Sequence, residues 1–163
     1  MNQNVCEIGF VLDRSGSMKD MELEARNGFN AFLESQQKLP GEARLTLVLF
    51  DHEYIVAHDG VPIKDVPSLD EHTYVPRGTT ALLDAIGRTI NTIGERLDKT
   101  PEPEQPGKVI VAILTDGLEN ASQEFKRKEI FKMNAVGRVA ASYRAGDADY
   151  AQHLAKAAKK EET

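Results

Sequence analysis

The chain has 163 residues, 40% hydrophobic and 28% charged, with a net charge of −6. That length suits a single domain over residues 1–163, able to bury roughly 68–70% of its unfolded surface. The acid excess is spread along the chain and argues against a nucleic-acid surface that tracks phosphates.

In chain order, the N-terminus "MNQNVCEIGF" has no basic region before an apolar core and does not resemble a signal peptide. The one cysteine, Cys6, has no intrachain partner and reads as a buried, inert thiol. A first strand is expected over "VCEIGFVLD", residues 5–13. Met18, Met21, Ala25, Phe29, Phe32 and Leu33 then recur at helical spacing, and Pro40-Gly41 ends that segment. "ARLTLVLF" (43–50) is a second strand, and a short strand near Tyr54 to Ala57 pairs with it through Asp51-His52-Glu53. Leu82, Leu83, Ile86, Ile90, Ile93 and Leu97 mark a second helix, with Thr79 or Thr80 at its start. After the Pro-rich connection "KTPEPEQPG" comes a third strand, "KVIVAILTD" (108–116). Its clean apolar run, Val109 to Leu114, is far too short to span a membrane. No membrane partner is expected, and the cytoplasm is the expected compartment. A third helix is expected from near Ser122, and a last helix with a frayed tail over about 150–163.

The first and third strands are apolar at consecutive positions, as in strands covered on both faces. Alternation of strands and helices then predicts an α/β domain, Rossmann-like and doubly wound, with a mostly parallel sheet flanked by helices. In such sheets ligands sit beyond the carboxyl ends of the strands. Asp13 and Asp116 each close a strand. Ser15 and Ser17 follow Asp13 at steps of two, with Gly16 allowing a tight turn. "RGTT" (77–80) adds a third hydroxyl-bearing loop. Two carboxylates and three hydroxyls form an all-oxygen set suited to a hard divalent cation. Zinc or copper would recruit His or Cys, and His52, His58, His72 and His153 are scattered, reading as surface or loop residues. The two aspartates balance about one Mg²⁺, and neutral hydroxyls leave the metal able to take another anion.

These motifs, "DRSGS", "RGTTALLDAIG" and "ILTDG", resemble the metal-ion-dependent adhesion site (MIDAS) of von Willebrand factor A (VWA) domains, in the compact intracellular bacterial or phage form. The resemblance covers about residues 5–133. It implies a metal set of Asp13, Ser15, Ser17, Thr80 and Asp116, with Thr79 as fallback for Thr80. It implies Mg²⁺ as the cofactor, with Mn²⁺ or Ca²⁺ as alternatives. The implied function is divalent-cation-dependent protein–protein interaction, in which a partner's Asp or Glu completes the metal shell.

One departure stands out. The family has a further strand and helix here, but "KRKEIFKM" leads straight into "NAVGRVAASYRAG", which resembles the later helix. The fold is therefore expected to lack one late strand between about Met133 and Asn134. That would leave residues 108–116 at an open edge, available for a homo-oligomer or a partner strand.

Each residue also has a plainer role. Asp13 and Asp116 could be turn residues, and Ser17 an N-cap. Asp84 reads as a first-turn acid favoured by the helix dipole, Glu119 as a solvent-facing loop acid, and "FKRKEIFKM" as an amphipathic surface helix. The chain is read as a non-enzyme. The rival is a Mg²⁺-dependent phosphotransferase or phosphatase using Asp13 as nucleophile. Ser15 stands where such enzymes place a second acid, and "TDG" has no nearby lysine.

Overall fold

The structure, a computed structural model, describes residues 2–115, 122–124 and 139–144, the last segment as backbone alone. The elements are β1 (Asn2–Asp13), α1 (Glu22–Gln37), β2 (Glu42–Phe50), β3 (Tyr54–Pro62), α2 (Leu82–Asp98), β4 (Pro106–Thr115) and β5 (Val139–Arg144). The strands form one sheet in the order β3-β2-β1-β4-β5. β1 is parallel to β2 and β4, β5 is parallel to β4, and β3 runs antiparallel at the edge beside β2. This is the expected mostly parallel, doubly wound α/β sheet. No described helix is long and apolar enough to cross a membrane.

The alternation of side chains along β1 explains why both faces are covered. Ile8, Phe10 and Leu12 face α1, packing with Phe29, Phe32 and Leu33 and with Leu45 and Leu47 of β2. The Phe10 ring meets Phe29 edge-on at 5.0 Å and Phe32 at 5.3 Å. Each such buried side chain contributes about 1.5–3 kcal/mol relative to exposure. Val11, Val48 and Phe50 face the other way, against Ala85, Ile86 and Ile90 of α2. Gly9 lets α2 come close, since a Cβ there would lie 2.7 Å from Ile93 Cδ1.

The two helical periodicities correspond to α1 and α2. Residues 16–21 form a 3₁₀ turn before α1. β3 runs on to Pro62, longer than the strand expected over Tyr54 to Ala57. Two register irregularities let it continue past Ala57, and both its sides carry exposed residues. The helices expected from Ser122 and over 150–163, and residues Asp116 and Glu119, lie outside the described residues, apart from Ser122–Glu124.

One expectation is corrected. The segment read as a helix contains a strand, and β4 is not an open edge. Val139–Arg144 pairs in parallel with Ile110–Thr115. The backbone groups along the outer side of an apolar strand need partners. A neighbouring strand supplies them and a helix cannot, so pairing with β4 decides the state of "VAASYR". With β4 covered, oligomerisation through that edge loses its basis. β3, the edge beside β2, is blunted by its irregularities and by Pro62.

Candidate metal centre

β1 and β4 end side by side at the point where the strand order reverses, which is where doubly wound sheets form their crevice. Asp13, the last residue of β1, is fully buried. Its Oδ1 accepts the Ser15 N–H at 2.7 Å, a turn in which the aspartate folds the chain back on itself. Its Oδ2 accepts the Thr115 hydroxyl at 2.7 Å, tying the end of β4 to the end of β1. Ser15 and Ser17 bring their Oγ atoms to 3.0 Å. Ser15 is buried and Ser17 exposed, so this hydroxyl pair leads from the interior to the surface.

The second loop is held against the first by two backbone hydrogen bonds. Gly16 N–H donates to Gly78 O at 2.9 Å, and Arg77 N–H donates to Arg14 O at 2.6 Å. Gly78 has φ +71°, a left-handed conformation that suits glycine. Two residues on, Thr80 is buried whereas Thr79 is exposed. This favours Thr80 as the interior hydroxyl. The residue at the N-cap of α2 is Ala81, not either threonine. Ser17 likewise sits inside the 3₁₀ turn rather than at the cap of α1, which is Met21. The structure thus brings together Asp13, Ser15, Ser17 and the loop that carries Thr80. Asp116 follows Thr115 in sequence and lies outside the described residues.

Several supporting residues escape sequence reasoning. The buried Tyr74 hydroxyl donates to the Asp13 carbonyl at 2.6 Å, bracing the end of β1 from the loop before α2. Tyr74→Phe is expected to cost about 1 kcal/mol, read as a lower urea midpoint at unchanged slope. An unchanged midpoint would show that this hydroxyl contributes nothing.

Asp84 does more than favour its helix terminus. Its carboxylate accepts the N–H groups of Gln123 at 2.8 Å and Glu124 at 2.9 Å, while its own N–H donates to Ser122 Oγ at 3.0 Å. Arg88, one turn further along α2, grips the Glu124 carboxylate with Nε at 3.0 Å and also with Nη2. Hydrogen bonding to Arg88 holds the Glu124 carboxyl below its usual range. Asp84→Ala removes the acceptor for two N–H groups, as loss of a helix cap does, at about 1–2 kcal/mol. The check is faster amide exchange at residues 123 and 124 together with a lower urea midpoint. Unchanged exchange there would mean that Asp84 does not hold the segment.

A carboxylate with converging hydroxyls is the donor chemistry of a hard cation such as Mg²⁺. No group of three His, Cys, Asp or Glu able to hold a metal occurs among the described residues. His52 and His72 are exposed, as expected. A cavity of about 1020 Å³ opens at the other end of the strands, between Gln36, Pro40, Lys64 and Lys108, away from these loops.

No protein-family model and no curated protein matches the sequence. Solved structures do match. A von Willebrand factor type A protein from Catenulispora acidiphila aligns with TM-score 0.58 at 18% identity, over 88% of this chain and 33% of that one. The manganese-loaded TRAP protein of Plasmodium vivax aligns with TM-score 0.59 at 14% identity, over 90% of this chain and 59% of that one. The fold is von Willebrand factor A-like. The PilB minor pilin of Streptococcus sanguinis aligns with TM-score 0.65 at 11% identity, over 99% of this chain and 62% of that one. The A-like chain therefore spans between a third and about three-fifths of these proteins. At such identities the likeness speaks for the fold, and the site must be argued from this chain's own residues.

Proposed function

We propose that this A-like domain binds a protein partner through a divalent cation held by Asp13, Ser15, Ser17, Thr80 and Asp116. Mg²⁺ is the proposed ion, with Mn²⁺ as a substitute, and the partner offers an Asp or Glu carboxylate. The observation that carries this reading is the convergence of the Asp13–Ser17 turn with the Thr80 loop at the carboxyl end of β1. The manganese-loaded state of the TRAP relative is in keeping with it. Bound there, the cation would supply a Lewis-acidic position open to an incoming oxygen. The chain's own residues orient the hydroxyls, and the exposed Ser17 marks the approach.

The residue at position 15 weighs against the phosphotransferase reading. Such an enzyme needs a second acid two residues after its nucleophile, and Ser15 stands there, its Oγ 3.0 Å from the Ser17 hydroxyl. The test is capture on the immobilised chain from lysate of the source cell. Proteins retained in Mg²⁺ should elute with chelator, and Asp13→Asn should retain none of them. Retention that ignores chelator would reject the proposal. So would turnover of a phosphate ester that disappears in Asp13→Asn, which would support the enzyme instead.

A further inference from the structure

Beside the candidate centre lies a charged cluster that the metal set does not include. Asp51 follows β2 directly, and its side chain is fully buried. Arg14, between Asp13 and Ser15, places Nε 3.2 Å from Asp51 Oδ2, an ion pair without hydrogen-bond alignment. Arg77, in the Thr80 loop, donates from Nε to the same oxygen at 3.1 Å. The Asp51 backbone joins in, since its carbonyl accepts the Ala81 N–H at 2.9 Å, at the entry to α2. Its Oδ1 accepts the Glu53 N–H at 2.6 Å, which fixes the carboxylate within the β2–β3 turn. Arg77 also reaches Glu53 at 2.9 Å.

We propose that Asp51 is a positioning residue for the metal centre, holding the Asp13–Ser17 turn and the Thr80 loop at a fixed spacing through the two arginines. The inference rests on the metal-site reading above. Among the described residues, two backbone hydrogen bonds join the loops directly, Gly16 to Gly78 and Arg77 to Arg14. Asp51 grips both loops from a third segment anchored in the sheet. A buried carboxylate needs compensating cations, and a buried pair left half-made is costly. Asp51 and the two guanidiniums are therefore constrained to stay together, and the loops follow. Mg²⁺ demands near-ideal octahedral geometry, so a small drift between the hydroxyls would weaken its binding.

The test compares wild type with Asp51→Asn by calorimetric Mn²⁺ titration, and by amide exchange in chelator. The asparagine keeps the shape and removes the charge. Mn²⁺ affinity should fall about tenfold, as when partners behind metal ligands are removed elsewhere. Exchange at Gly16 and Arg77 should speed up in the metal-free protein while Phe10, in the centre of β1, stays protected. Affinity close to wild type would overturn the proposal. So would weaker binding with unchanged exchange, since then only the lost charge acts and not the spacing. If wild type binds no Mn²⁺, the metal-site reading fails, and the exchange arm still decides whether Asp51 holds the loops. If Asp51→Asn does not fold, Arg77→Gln takes its place, because that side chain is half exposed. It should show the same two changes to a smaller degree, and wild-type behaviour in both would overturn the proposal.

Discussion

Asp13→Asn is expected to abolish cation binding while leaving the sheet folded. The amide has the shape of the carboxylate and retains one oxygen acceptor. It can keep the bond from the Ser15 N–H and turn its NH₂ toward the Thr115 hydroxyl, which rotates to accept. The cost to folding is then about 1 kcal/mol. The cost to the cation is far larger. A pair of unit charges 4 Å apart interacts by about 4 kcal/mol at the effective dielectric of a protein surface, roughly a thousandfold in affinity. Mn²⁺ titration by calorimetry, with thermal melting of the same samples in chelator, separates the two effects. Affinity within about tenfold of wild type would remove Asp13 from the site.

The second large effect lies at the opposite end of the sheet. Arg96→Met is expected to destabilise the protein by about 3 kcal/mol, the penalty for leaving a buried charge without its partner. Glu7 on β1 is buried and ion-paired with Arg96 of α2, which also reaches Asp59 at 2.5 Å and Thr46 at 3.3 Å. Burial raises the Glu7 carboxyl above its ordinary value of 4.5, and Arg96, then Arg44, pull it back down. Without Arg96 the burial effect acts with less opposition. A carboxyl whose folded pKa lies above its unfolded one keeps its proton longer in the folded state. Stability then falls as pH rises from the unfolded value through the folded one. The deficit of Arg96→Met should therefore be small in acid and grow toward neutral pH. Urea titrations at pH about 5 and about 8 check this. A deficit that is constant with pH, or larger in acid, would contradict the account of Glu7.

What could be read in advance divides along physical lines. α1 and α2 announce themselves because burial of one face leaves a helical period, and β1, β2 and β4 because burial on both faces leaves short apolar runs, as Phe10, Val11 and Leu12 do on β1. The turn carrying Asp13, Ser15 and Ser17 at the end of β1 was legible because a strand end and a short local spacing set it, whereas Thr80 was picked out by the resemblance. β5 was not legible, because "VAASYR" resembles the family's later helix, whereas its strand state comes from pairing with β4. Tyr74, Asp51 and Asp84 were illegible as supports for a related reason. Tyr74 meets Asp13 across 61 positions, and Asp84 meets Gln123 across 39. No local period encodes such contacts. Each of these side chains also has a commonplace local reading as a loop aromatic, a turn acid or a helix-end acid.

The most direct measurement is an anomalous difference map from crystals of the chain soaked in Mn²⁺. A peak is expected at the carboxyl ends of β1 and β4, bonded to the hydroxyls of Ser15, Ser17 and Thr80. A map with no peak there, or with manganese bound only elsewhere, would contradict the metal-site reading.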